Sequence, residues 1–454
     1  MFGRVQTILR QYASDNILRH GAIYFFFFGA TTVVNIAFRK YSAVNLSIED
    51  YGVFTALLAF FSILTQPFGA LQMIITKQMS WQLGRNKPAL AIGYFRWIFR
   101  IFVLLAVCGS VLILIFSPFL REQYQLPAWF SIFVVVLMFF LSSIGNCFAG
   151  ALQAFQHFAV IGIINTLAVC AKLGACYILL HLFFGDIFPA PVAVNQSLLP
   201  LIRISAGFIN RFDIPLLAVL FSIIFLVFAN ILFFRRDALA AGSAADAIPM
   251  EGRLASLLRD FLPIFILYLS FSLFRNIDEY MARRFLSEFD NGLYGALATV
   301  AKSSVFLVNA ITFVTFPKFA SHKDSVIAAR RIMVKALILG ALATLSFFAL
   351  ILLFPEFLLQ ALTHTKYMSA VSSLKYFFFA FMPYPMILIF INYFIVHHDW
   401  RYTISLAASI VCTIAAYELF HASVHEILFV LGVAGYTILA FSCIHWLRQI
   451  RRAA

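Results

Sequence analysis

An all-helical, polytopic membrane protein is the fold class that the sequence predicts, with about twelve transmembrane helices in two pseudo-symmetric six-helix lobes around a central cavity. Three observations predict it. The 454 residues are 63% hydrophobic and only 11% charged, where a soluble protein carries about 25% charged residues. Apolar runs of roughly 20 residues recur along the chain, the length at which a helix crosses the hydrocarbon core, without the alternation of a barrel strand. A hairpin early in the chain also returns just past its middle.

Residues 2–14 set Phe2, Val5, Ile8, Leu9 and Tyr12 on one helical face, as in a short helix lying on the membrane surface. The first span covers about 18–40, with Thr32, Asn35 and Arg39 as a polar stripe. The turn LSIEDYG pairs Ser47 with Asp50 as a helix N-cap and opens span two, about 51–76, which Pro67 and Gly69 should interrupt. Spans three to six follow at about 97–117, 128–150, 158–181 and 214–234; Asn165 and Lys172 lie inside span five. Between spans five and six, residues 185–213 carry several prolines and fit an interfacial or a re-entrant helix. The hydrophilic stretch 235–258 divides an N-terminal lobe, 1–234, from a C-terminal lobe, 259–454. Spans seven and eight occupy Leu262 to Lys318, and spans nine to twelve about 333–354, 371–396, 401–421 and 424–447.

Loop charges orient these spans. With the N-terminus inside, the cytoplasmic segments collect about 21 Lys and Arg and the opposite side about nine. Both termini are therefore expected in the cytoplasm. The net charge of +14 reflects these basic loops and implies no nucleic-acid partner. The apolar run at the N-terminus follows some twenty residues that include three arginines, which is not the pattern of a cleaved signal. All six cysteines fall in apolar segments without metal spacing, so neither disulfides nor a metal is indicated, and no cofactor is expected.

The repeat is read at the turns. The first half has Asn35-IAFRKYSAVNLSIEDYG and the second Asn276-IDEYMARRFLSEFDNGLYG. Each places Asn-Ile late in a span, then a Leu-Ser turn with acids, then Tyr-Gly (Tyr51-Gly52 and Tyr294-Gly295). Repeated halves with a site between them near the midplane mark secondary transporters. The segments NIDEYMARRFLSEFDNGLYGALATVAKSSVFLVNAITFVTFPKFAS and LSIEDYGVFTALLAFFSILTQPFGALQMIITKQMS resemble the corresponding hairpins of bacterial polysaccharide flippases. These form the lipid-linked oligosaccharide translocase (Wzx-like) branch of the MOP superfamily, which also holds the MATE exporters and the peptidoglycan-precursor flippase. The resemblance implies a MOP/MATE-like cavity facing each side in turn. It also implies an inner-membrane protein that carries undecaprenyl-diphosphate-linked repeat units toward O-antigen or exopolysaccharide, beside polysaccharide polymerase and glycosyltransferases. One departure is the 185–213 segment, longer than the family's usual loop there.

Charges inside an apolar helix cost roughly 2.5–3.5 kcal/mol each at the bilayer centre and default to a functional reading. Arg275, Asp278, Glu279 and Arg283 follow one another in span seven, and Lys302 lies with Asn309 in span eight. Arg275 and Glu279, at i and i+4, fit a self-neutralising ladder. They fit equally an Arg275 facing a water-filled cavity, with Asp278 or Glu279 available to a proton or sodium ion. Arg39 fits snorkelling to the outer interface and also an inward position in its stripe. Spans and span ends together hold Arg39, Lys40, Lys172, Arg275 and Lys302 against Asp278 and Glu279. That excess attracts a diphosphate and repels a cationic drug. The candidate substrate site is therefore cationic: Arg39, Lys172, Arg275 and Lys302, with Asn35, Asn276 and Asn309, and Asp278 and Glu279 for ion coupling.

The alternatives are a MATE-type ion-coupled multidrug exporter and a membrane glycosyltransferase or polymerase. The enzyme reading has only Glu49-Asp50 to offer outside, which capping explains, and His397-His398-Asp399 reads as an exposed inner turn. No G-x-x-x-x-G-K-[ST] motif is present, so no ATP hydrolysis is expected.

Overall fold

The computed structural model describes residues 16–124, 126, 129–184, 209–240, 253–321, 326–397 and 399–453. The surface helix expected over 2–14, residues 185–208 of the proline-bearing segment and residues 241–252 of the linker lie outside them. In the N-terminal half, α1 (Asn16–Asn45), α2 (Ile48–Gly84), α3 (Pro88–Ile115), the short α4 (Ser117–Gln123), α5 (Phe130–Ala154), α6 (Phe158–Phe184) and α7 (Asp213–Ala240) follow one another. The C-terminal half has α8 (Arg253–Phe285), α9 (Glu288–Ala301), α10 (Ser304–Ser321), α11 (Val326–Leu353), α12 (Pro355–Leu362) and a 3-10 turn (Thr365–Ala370). It ends with α13 (Val371–Phe381), α14 (Pro383–Val396), α15 (Trp400–Leu419) and α16 (Val424–Ala453). Ten stretches among the described residues are long and apolar enough to cross a membrane. The two further passes that the sequence predicts fall on α1 and on the α9–α10 pair.

Local chemistry sets the helix ends. Ser47 caps α2 by accepting from the Asp50 amide at 3.0 Å, and Ser287 caps α9 by accepting from the Asp290 amide at 3.1 Å. The α2–α3 and α5–α6 turns each place one residue in the left-handed region, Asn86 (φ 55°) and Gln156 (φ 61°). The amides of Lys87 and His157 reach back to the Gln82 and Leu152 carbonyls, closing both helices in the Schellman manner. Proline starts α3, α12 and α14, where its missing N–H costs nothing.

Three local expectations change. Span two is not interrupted: α2 runs through Pro67, as membrane helices allow when neighbouring groups take up the freed carbonyl. Span eight is two helices, because the chain turns at Lys302–Ser303, where the hydroxyls of Ser303 and Ser304 take the Val300 and Ala301 carbonyls at 2.6 and 2.9 Å. Span ten divides at Met382–Pro383 for the reason that Pro383 has no N–H to give. Both α7 and α8 also extend into the 235–258 stretch, ending at Ala240 and beginning at Arg253.

Packing separates the elements into central and peripheral ones. The span windows of α2 and α8 are each 61% buried and that of α13–α14 78%, against 17% for α6 and 22% for α3 and α11. Within the first half α1 packs on α6, and α5 on α2, α3 and α7; within the second, α10 packs on α11 and α14, and α16 on α13, α14 and α15. The halves meet where α2 packs against α8 and α9. At one end, where the Leu46–Ser47 and Leu286–Ser287 turns lie, α2 and α9 come into backbone contact. A Cβ on Gly52 would stand 2.8 Å from the Gly292 nitrogen, and one on Gly292 would collide with the Ile48 carbonyl. Glycine is what permits this approach. We call it the turn end.

Candidate functional site

The predicted site residues fall into two clusters on either side of the junction between the halves. The first lies in the seam of α1 and α6. Thr31 and Thr166 share a hydrogen bond of 3.0 Å there. One turn along, the Lys172 ammonium donates to the side-chain oxygen of Asn35 and sits 4.4 Å from the Phe38 ring centroid. The Arg39 guanidinium is 5.7 Å from the Phe54 ring centroid. A neutral amide and two aromatic faces thus attend two cations. Among the described residues, neither cation forms an ion pair.

The second cluster joins α8 to the end of α9. Lys302 stands where α9 stops, and that break carries its ammonium across to α8. There it donates to the Arg275 carbonyl, to Asp278 Oδ1 and to Glu279 Oε1, each at 2.8 Å. Asp278 is fully buried, and the Tyr294 hydroxyl donates to its second oxygen at 2.8 Å. Such a buried carboxylate persists only because it is paired and hydrogen-bonded. The acids therefore hold Lys302, not Arg275 as an i, i+4 ladder predicts. Arg275 has its guanidinium 5.9 Å from the Phe271 centroid and, among the described residues, no hydrogen bond or ion pair of its own.

Two predicted residues serve other ends. Asn276 donates within its own helix to the Ser272 carbonyl at 2.9 Å, and the Ser272 hydroxyl crosses to the Ser62 carbonyl of α2 at 3.2 Å. Ser272, not Asn276, makes the bond across the junction. Asn309 accepts from Thr312 through its backbone carbonyl at 2.9 Å, and the break at Lys302–Ser303 separates it from the helix that ends at Lys302. Among the described contacts it joins neither cluster.

Tyr51 connects the two clusters. Its hydroxyl and that of Thr299 share a 2.9 Å hydrogen bond across the junction, and it lies within electrostatic range of both Arg39 and Glu279. Sequence reasoning treated Tyr51 and Tyr294 as turn markers; their recurrence in both halves was the available signal. Counting formal charges, Arg275 and Lys302 balance Asp278 and Glu279, so the excess positive charge belongs to Arg39 and Lys172. The arrangement is one cluster whose formal charges cancel when Arg275 is counted, and one that is cationic.

No protein-family model and no curated protein matches the sequence. Solved structures do. An inward-facing multidrug-resistance MATE family transporter of the MOP superfamily superposes with a TM-score of 0.68 at 12% identity, covering 96% of this chain and 99% of that one. An outward-facing MATE transporter gives 0.64 at 14% identity, covering 96% and 95%. A MOP-superfamily transporter from Pyrococcus furiosus, described as having a binding pocket of reversed polarity, gives 0.56 at 14% identity with coverage of 96% and 95%. From end to end, this chain has the fold of the MOP-superfamily transporters.

Proposed function

We propose that the protein is a flippase that moves undecaprenyl-diphosphate-linked oligosaccharide units across the bacterial inner membrane by alternating access, with both termini in the cytoplasm. The observation that carries this reading is the pair Arg39 and Lys172, two cations in an apolar seam with an amide and aromatic rings for company. In low dielectric such a pair favours a multiply charged anion and disfavours a cationic drug. Arg275, whose guanidinium has no carboxylate bond among the described residues, offers a further donor to the anion.

The Lys302 cluster supplies a coupling device under the same reading. A diphosphate arriving at the junction competes with Asp278 and Glu279 for the Lys302 ammonium. A proton or sodium ion on either carboxylate weakens its hold on Lys302 and favours that transfer. With one carboxylate neutralised in this way, the other keeps Arg275 as its counter-charge when Lys302 turns to the diphosphate. The test is transport by protein reconstituted with a fluorescent undecaprenyl-diphosphate oligosaccharide, read by its accessibility to an external lectin. Replacing Arg39 and Lys172 together by alanine is expected to lower the rate more than tenfold with folded protein retained. An unchanged rate would sink the cationic-site reading.

A second reading, a MATE-type ion-coupled exporter, is supported by the fold neighbours and by the two acids in α8. It expects efflux of a cationic dye that depends on Asp278 and Glu279 and is indifferent to Arg39 and Lys172.

A further inference from the structure

At the turn end, side chains of the C-terminal half are spent on backbone carbonyls of the N-terminal half. Lys366, in the 3-10 turn, donates to the Leu46 carbonyl and, at 3.3 Å, to that of Val44. Its neighbour Tyr367 donates to the Ala43 carbonyl at 3.3 Å. Ala43 and Val44 belong to the last turn of α1, where helical carbonyls have run out of amide partners; the Ser42 carbonyl is already taken by the Leu46 amide. Arg283, 2% exposed, repeats the pattern at the end of α4, donating to the Tyr124 carbonyl at 2.9 Å while Tyr280 packs on the Tyr124 ring at 5.4 Å. Among the described residues its ion pair, with Glu288 at 3.6 Å, lies within its own half.

These bonds share a property that most bonds of the fold lack: all run from one half to the other, so moving the halves apart at this end breaks them together. A cation at a helix C-terminus also meets the negative end of the helix dipole. We propose that Lys366, with Tyr367 and Arg283, forms a latch that holds the halves together at the turn end, and that its release is a required step in opening that end. The latch acts on the conformation of the fold, so it stands whichever substrate is carried.

Thr55 reports on the seal, because it is buried against Gly295 behind the latch. Full-length protein carrying Thr55→Cys, in liposomes, is treated with a hydrophilic maleimide, and its modification is compared with the background of the six native cysteines. Adding Lys366→Met is expected to raise the rate roughly tenfold, the population change that follows from losing a charge-assisted hydrogen bond. Tyr367→Phe, which loses one neutral bond and keeps the ring, is expected to raise it less; it carries the test alone if Lys366→Met fails to fold. Native Cys147, buried in α5, should stay protected. Rates equal to the parent in the folded variants overturn the proposal. So does matching exposure of Cys147, which would make Lys366 a general stabiliser and no latch.

Discussion

Lys302 shows how one side chain can settle the charge problem of a membrane helix. Its ammonium meets a carbonyl and two carboxylates at 2.8 Å, and Tyr294 completes the second oxygen of Asp278. Removing one member of such a buried set leaves uncompensated charge, which costs about 3–5 kcal/mol, whereas removing all members together costs little. Lys302→Met is therefore expected to lower the stability of the detergent-solubilised protein by about that amount. Combining it with Glu279→Gln, which leaves Arg275 and Asp278 to balance in formal charge, should restore part of the loss. Thermal unfolding of the single and double variants checks both statements; a single variant as stable as the parent contradicts the pairing. Sequence reasoning found all three groups from their cost in an apolar helix. It did not find who pairs with whom, because the pairing depends on a helix break at Lys302–Ser303 that no proline announces.

At the scale of elements, the two caps give the repeat its register. Aligning Ser47 with Ser287 aligns Asp50 with Asp290, Gly52 with Gly292, and Thr55 with Gly295. These aligned residues also touch one another: Gly52 lies against Gly292, and Thr55 against Gly295. Aligning the two Tyr-Gly pairs, as the sequence alone suggests, misses this by three residues. Contact between matching positions of two helices that start side by side is what a pseudo-two-fold relation between the halves produces. A methyl at Gly292 would strike the Ile48 carbonyl, and such overpacking costs typically about 1–3 kcal/mol. Gly292→Ala is thus expected to part α2 from α9 and to raise maleimide modification at Thr55→Cys by roughly tenfold or more. Protection equal to that of the parent would mean that the turn end tolerates the added volume.

For the whole molecule, the proposed orientation rests on the distribution of Lys and Arg, which by the positive-inside rule expects the turn end outside and the basic α2–α3 turn inside. A cysteine at Phe289, 45% exposed on α9, should accordingly react with a membrane-impermeant maleimide in intact cells. One at Lys87, in the α2–α3 turn, should react only after the membrane is opened. The opposite pattern would invert the molecule and, with it, the direction assigned to transport.

The sequence by itself determined the class of the fold and most of its membrane-length helices, and it pointed to a repeat between the two hairpins. Those properties rest on length, apolarity and local capping, which are carried by neighbouring residues: twenty apolar positions make a span, and Ser-x-x-Asp makes a helix start whatever surrounds it. It also picked out Arg39, Lys172, Arg275, Lys302, Asp278 and Glu279, because ionisable groups in lipid are expensive wherever they fall. Tertiary structure alone decided that Asp278 and Glu279 pair with Lys302 while Arg39 and Lys172 form no ion pair among the described residues, that Asn276 bonds within its own helix, and that Lys366 and Arg283 bridge the halves. Each of those roles depends on which distant atom comes within 3 or 4 Å, and no local pattern in the chain encodes that distance.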